Sequence, residues 1–303
     1  MSNDYKRVII GSRSSSLAIK QVELFKKDLK SHFKGIDLEE RFIKTSADMF
    51  LEKKLSDFGN KGLFTKEIDD EQLSNIVDMT VHSLKDLPHT LVPGLDISGF
   101  LKREDSRDAI YSPRLKKLAD LKENSTIGTS SIRRKCQIKK LRPDLNFKFI
   151  RGNVETRIKK VLDGHYDATV LAMAGLKRLG IKENFFPLEI ETVVPAAGQG
   201  IIAIICRKRD VYCKNLAKFI SDHDTKLIAN CERSFLKALE GNCDTPIGAN
   251  ARILRDKVAF NFFISNENGN FFIKDKKIFS IDQAISKCFD LGKSLKKRYM
   301  EHE

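Results

Sequence analysis

The stretch EGNCDTPIGA, residues 240–249, holds one thiol, Cys243, between an asparagine and an aspartate. Gly241, Pro246 and Gly248 exclude a helix interior and predict an exposed turn after a helix. A thiol on such a turn near cationic groups is favoured as thiolate, and the thiolate is the nucleophile. The alternative is a purely structural thiol. No histidine adjoins Cys243 to act as a protease-like base. The other cysteines, Cys136, Cys206, Cys213, Cys231 and Cys288, include no C-x-x-C pair, which argues against a zinc ribbon or a thioredoxin-like site. Most of them read as small buried hydrophobes.

Three further segments share one design. GSRSSS carries Arg13, GTSSIRR carries Arg133 and Arg134, and RGNVETR carries Arg151 and Arg157. Each lies between the end of a predicted strand and the start of a predicted helix, where ligands bind in open α/β sheets. A helix N-terminus offers free N–H groups and a positive dipole end, and arginine adds a planar fork suited to carboxylate or phosphate. No P-loop pattern occurs, so several anion sites lining a cleft are expected without a nucleotide signature. VHSLKDLP sets His82, Ser83, Lys85 and Asp86 at a strand end. Asp86 there is either half of an ordinary Lys85–Asp86 turn pair or an acid beside a cation, able to give and take a proton. The histidines show no metal-ligand spacing, and no metal is expected.

The elements that must position these groups follow from periodicity. RVIIGSR reads as a buried strand, and Leu17, Ala18, Val22, Phe25, Leu29 and Phe33 recur at helical spacing behind it. A strand at LEERFIKT, a helix over KGLFTKEIDDEQLSN and a strand running into a turn at IVDMTVHSLKDL continue a pattern that predicts a parallel sheet. The pattern restarts at STIGTSSIRRKCQIKKL and repeats through YDATVLAMAGLKRLG. VVPAAGQGIIAIICR is a connector followed by an apolar strand that can return to the first sheet. Beyond it come a helix, antiparallel strands with a hairpin signal at Asn268-Gly269, and a closing helix.

Lys plus Arg number 55 against 41 Asp plus Glu, a net charge of +14. This fits a lysine-rich surface, a polyanionic small molecule or nucleic acid. No apolar run is long enough to span a bilayer, and MSNDYKRVII has no signal core, so a soluble cytoplasmic protein without a membrane partner is expected.

HSLKDLP, GTSSIRR, RGNVETR, AGLKRLG, PAAGQG and EGNCDTPIGA occur in an order and spacing that resemble the porphobilinogen deaminase (hydroxymethylbilane synthase) family, from Arg7 to the closing helix. The resemblance implies an enzyme that joins porphobilinogen units head to tail, releases ammonia and frees a linear tetrapyrrole. It implies a dipyrromethane cofactor held by a thioether at Cys243, with Asp86 as the catalytic carboxylate. It assigns Ser83, Lys85, Thr129, Ser131, Arg133, Arg134, Arg151 and Arg157 to the cofactor. Arg13, Ser15, Lys61 and Arg178 fall to the substrate.

The implied fold is α/β in three domains. Two periplasmic-binding-protein-like lobes span residues 1–100 with about 195–217, and 101–194, and a small α+β domain spans 218–303. A monomer is implied. The chain departs from common family residues at Asp57, Asn60 and Asn242. Two other classes stand beside this reading: a non-enzymatic anion-binding module, which has no need of Cys243, and a nucleic-acid binder, for which neither stacking platform nor basic reading helix is found.

Overall fold

The structure, a computed structural model, describes residues 7–45, 65–240, 246–266 and 269–301. Cys243, Lys61, Asp57, Asn60, Asn242 and Asn268 lie outside the described residues. The chain divides into two compact units, Met1–Arg103 with Ile201–Lys226, and Glu104–Gly200 with Leu227–Glu303.

In chain order the first unit begins with β1 (Val8–Arg13), α1 (Ser16–His32), β2 (Leu38–Ile43), α2 (Lys66–Leu73), β3 (Met79–Ser83) and β4 (Leu95–Phe100). The second holds β5 (Asp108–Tyr111), β6 (Thr126–Gly128), α3 (Ile132–Leu141), β7 (Asn146–Lys148), α4 (Val154–Leu162), β8 (Ala168–Ala172), α5 (Met173–Arg178) and β9 (Phe185–Leu188). The chain then returns to the first unit with β10 (Ile202–Arg207) and α6 (Val211–Phe219), and α7 (His223–Leu239) leads back. The second unit closes with β11 (Ile247–Leu254), β12 (Lys257–Ser265), β13 (Phe272–Ser280) and α8 (Ala284–Met300).

The first sheet has the order β2-β1-β3-β10-β4. β1 pairs in parallel with β2 and β3, whereas β10 runs antiparallel to both β3 and β4. The expected parallel sheet is therefore mixed, because β10 arrives through a connector rather than a crossover helix. Every residue of β10 is buried, as a central strand covered on both faces requires. Val8, Ile10, Met79, Val81, Ile202 and Ile204 pack with Val22, Phe25 and Leu29 of α1. The helical spacing read from the sequence is thus the helix's buried stripe. Ser15 caps α1 by accepting the Ala18 N–H at 3.3 Å.

The middle sheet repeats the plan in the order β7-β6-β8-β5-β9, with β6 parallel to β7 and β8 and β5 antiparallel to β8 and β9. The third sheet, β11-β12-β13, is an antiparallel meander. Phe235 of α7 packs edge-on to Phe260 of β12 with ring centroids 5.2 Å apart. The structure is thus α/β with two sheet-and-helix lobes and a small C-terminal sheet domain.

Within the second unit, the connector after β9 is bound from two sides. Pro195 O accepts the Ala249 N–H of β11 at 2.9 Å. Buried Glu232 of α7 accepts from the Gly198 N–H at 2.6 Å and the Ala251 N–H at 2.7 Å. β11 approaches so closely that a Cβ at Gly248 would lie 2.8 Å from Val194 O and 3.1 Å from Pro195 O. Gly248→Ala is expected to push β11 off the connector and cost about 1–3 kcal/mol; urea melts give the figure, and an unchanged midpoint would show that β11 can shift freely.

Candidate active site

In the first unit, β1 and β3 are parallel neighbours, so both deliver their C-terminal ends to the same sheet edge. Arg13 ends β1 and Ser15 caps α1; Ser83 ends β3, and a single 3-10 turn, Leu84–Asp86, follows. That turn is tied to the sheet by the Leu84 N–H, which donates to Ile201 O at 3.0 Å. Between these ends lies a cavity of about 60 Å³ whose polar lining includes Arg13, Ser15, Gln21, His82, Ser83 and Asp86. Gln21 Nε2 donates to Ser83 Oγ at 2.7 Å and so fixes that hydroxyl. Lys85 is half-buried on the same turn. His82 is 6% exposed, and its Nε2 has no hydrogen-bond partner among the described residues. Burial, reinforced by the charge of Arg13, pushes its pKa down to about 4 and keeps the ring neutral.

In the second unit, β7, β6 and β8 are parallel neighbours, and the turns and helices after them carry the remaining predicted groups. Ser131 caps α3 by accepting the Arg134 N–H at 3.4 Å, and Thr129 Oγ1 accepts the Ser131 N–H at 3.2 Å. Arg133 and Arg134 are both 6% exposed and converge on Asp108, which is 0% exposed. Arg133 Nη1 donates to Asp108 Oδ2 at 2.8 Å and to Val194 O at 2.7 Å. Arg134 donates to Asp108 Oδ1 from Nε at 3.0 Å and Nη2 at 2.6 Å, and from Nη1 to Val170 O at 2.7 Å. Gln199 Nε2 adds a fourth hydrogen bond to Asp108 at 2.9 Å. Burial alone would raise the Asp108 carboxyl, but Arg133 and then Arg134 overcome it and hold it well below the usual carboxylate range.

A guanidinium has five N–H donors. Arg133 spends two of its own in these bonds and Arg134 three. The pair therefore keeps unspent donors and, with Asp108, a net single positive charge.

Arg151 follows β7, with its guanidinium 5.5 Å from the Phe149 ring centroid. Its Nη2 is buried without a hydrogen-bond partner among the described residues. Arg157 Nε donates to Gly152 O at 2.8 Å, and Asn153 caps α4 by accepting the Thr156 N–H at 2.8 Å. Arg178 Nη2 donates to Gly200 O at 2.7 Å; burial, partly offset by Glu104, brings its pKa down to about 10. An unspent, buried cationic donor on Arg151 and the spare forks of Arg133 and Arg134 fit a ligand rich in carboxylates.

Asp108, Gln199 and the orphaned nitrogen of His82 escaped the sequence reading. The available signal for Asp108 was an acid opening the apolar strand DAIY, since a buried carboxylate demands buried partners.

Both Asp108 and His82 make stability fall as the solution is acidified. The unfolded value of Asp108 is about 4, so its contribution is full above that pH and is lost below it. The unfolded His82 takes up a proton near pH 6.5 and the native one near 4, so stability also declines as pH falls through that window. Asp108→Asn leaves two buried cations without a counter-charge and is expected to cost about 3–5 kcal/mol. It should also remove the part of the acid limb below about pH 4. Urea melts across pH check both; an unaltered acid limb would show that the carboxylate is not charged in the native state.

Two family models match the chain, "Porphobilinogen deaminase, dipyromethane cofactor binding domain" over residues 8–215 and "Porphobilinogen deaminase, C-terminal domain" over residues 226–301. The porphobilinogen deaminase of Campylobacter concisus is 36% identical over 98% of this chain and 95% of its own length. That of Oceanobacillus iheyensis is 42% identical over 89% of this chain and 88% of its own. That of Chloroherpeton thalassium is 41% identical over 89% and 86%. Among solved structures, the methionine binding protein MetQ aligns at a TM-score of 0.44 and 13% identity, over 71% of this chain and 88% of that one. Two models in sequence order and relatives matched along nearly their whole length show that this chain belongs to the porphobilinogen deaminase family.

Proposed function

We propose that the chain carries out the reaction of its family, joining four porphobilinogen units head to tail with release of ammonia at each addition, then cleaving the product from the cofactor with water to give the linear tetrapyrrole hydroxymethylbilane. The observation that carries this reading is the cavity of the first unit. There Asp86, the one lining carboxylate among the described residues, faces Arg13, Ser15 and Ser83. A cation and hydroxyls suit the acetate and propionate arms of a pyrrole, and a carboxylate suits the positive charge that develops as the amine leaves.

The dipyrromethane, when bound, supplies the terminal pyrrole carbon to which the next unit is joined. Cys243 would hold it by a thioether; its thiolate form makes it the nucleophile for attachment. Arg133, Arg134, Arg151 and Arg157, with Lys85, Ser83, Thr129 and Ser131, would bind its carboxylates. Arg13, Ser15, Lys61 and Arg178 would bind those of the incoming unit. Asp86 would stabilise the positive charge on the pyrrole as the carbon–nitrogen bond breaks, and move the proton that restores the ring.

The three-domain division at 1–100 with about 195–217, 101–194 and 218–303 is the working arrangement we assign to these groups. Among the described residues no helix is long and apolar enough to cross a membrane. We infer a cytoplasmic monomer acting on a small molecule, with neither nucleic acid nor membrane as partner.

Cys243→Ser is expected to fold and to lack any covalent pyrrole addition in its intact mass; the same addition on that variant would sink the attachment site. Asp86→Asn keeps shape but loses charge, and its single-turnover rate should fall about 10²–10³-fold with little change in melting temperature. A lowered melting temperature with near-normal turnover would instead mark Asp86 as half of a structural pair.

A further inference from the structure

The cavity at the β1 and β3 ends contains a group to which the reading above gives no task. His82 projects from β3, opposite Ala203 of β10, in the interior of the sheet. It lines the cavity with Arg13, Ser15, Ser83 and Asp86. Its Nε2 is buried and meets no hydrogen-bond partner among the described residues. A buried polar atom left so loses its hydration for nothing in return, and a leucine of similar volume would serve the core better. The position is therefore set for a guest with a polar group of its own.

The surroundings decide which polar group. The cavity lining is rich in donors: the Arg13 guanidinium, the hydroxyl of Ser15, and the first turn of α1 behind the Ser15 cap. Ser15 accepts from the Ala18 N–H, which leaves its own O–H to be donated. A cationic guest at that depth meets Arg13 and a helix N-terminus, both repulsive to it. A carboxylate meets attraction from these groups, and Asp86 is the one opposing charge on the described lining. Burial, with the charge of neighbouring Arg13, keeps the imidazole uncharged, so it serves as a neutral donor beside the charged one. A charge-assisted hydrogen bond of this kind adds direction that a bare cation lacks.

We propose that His82 is a substrate-binding residue whose Nε2–H donates to a carboxylate arm of porphobilinogen in the cavity formed with Arg13 and Ser15. The proposal rests on the reading of this cavity as the porphobilinogen site. It makes His82 a specificity-determining group: a pyrrole lacking that carboxylate leaves the His82 Nε2–H unmet.

The test compares His82→Leu and His82→Gln with the wild type, all carrying the same covalent addition by intact mass. His82→Leu removes an unmet polar atom from the empty protein. It should raise the melting temperature by about 2–4 °C and at the same time raise KM for porphobilinogen about tenfold or more with kcat little changed. His82→Gln keeps an amide N–H donor and should hold KM within about threefold of the wild type. A structural histidine moves the other way. A His82→Leu chain that melts lower or fails to fold overturns the proposal, and so does one whose KM stays within threefold. Wild-type protein without covalent addition or turnover of porphobilinogen overturns the underlying reading itself, before any variant is measured.

Discussion

Two guanidinium groups closed on one buried carboxylate set the terms for the second unit. Arg133, Arg134 and Asp108 are almost wholly removed from water, a condition made tolerable by close charge pairing and the hydrogen bonds each group makes. The carboxylate takes donors from both arginines and from Gln199. The arginines give their remaining anchoring bonds to the carbonyls of Val170 and Val194. Strand β8, strand β5 and the connector after β9 are thereby held to one point. What is left over, one positive charge and several N–H donors in fixed directions, is available to an anion without the entropy cost of ordering a flexible side chain. Surface lysine, which supplies much of the chain's excess charge, cannot do this, because its stem is free to move.

Both lobes use one device. Parallel strands bring their C-terminal ends to a common edge, and after β1, β6 and β7 a short polar turn leads into a helix capped by Ser15, Ser131 or Asn153. Hydroxyls at Ser15 and Ser131 are committed to capping and at the same time face the region where arginine stands. The turn residues are thus constrained twice, by the backbone N–H groups they must satisfy and by the ligand they must meet.

Much of this was legible in the sequence, and what was not has physical reasons. Helix α1 announced itself because one face is buried at helical spacing, and β10 because a strand covered on both faces is a run of apolar residues. Strand direction was invisible: VHS in β3 and AII in β10 look alike whichever way they run, so the antiparallel course of β10 emerged only from its register. Strands β5 and β9 have four residues each, and no simple alternation marks them or β4. At the site, turn arginines were readable as anion ligands, but not their division of labour. Arg133 and Arg134 are bound to an internal carboxylate, whereas Arg151 keeps a buried donor unmet. That difference depends on Asp108, which lies 25 residues from Arg133 in the chain and beside it in space. The thiol and lysine assignments, Cys243 and Lys61, rest on sequence and family alone.

The late return of β10 carries a consequence for how the molecule is made. In the first sheet β3 and β4 are not bonded to each other; β10 lies between them. Until residues 202–207 leave the ribosome, β3 presents an open edge and β4 has no partner, while β5 to β9 have already emerged. The order of synthesis therefore lets the middle lobe close first, and leaves the N-terminal lobe as an unfinished sheet with exposed backbone donors and acceptors. Its completion waits on contacts between segments more than a hundred residues apart, the slow kind of pairing. For this chain the nascent N-terminal half, rather than the finished protein, is the species most exposed to aggregation and most in need of a chaperone.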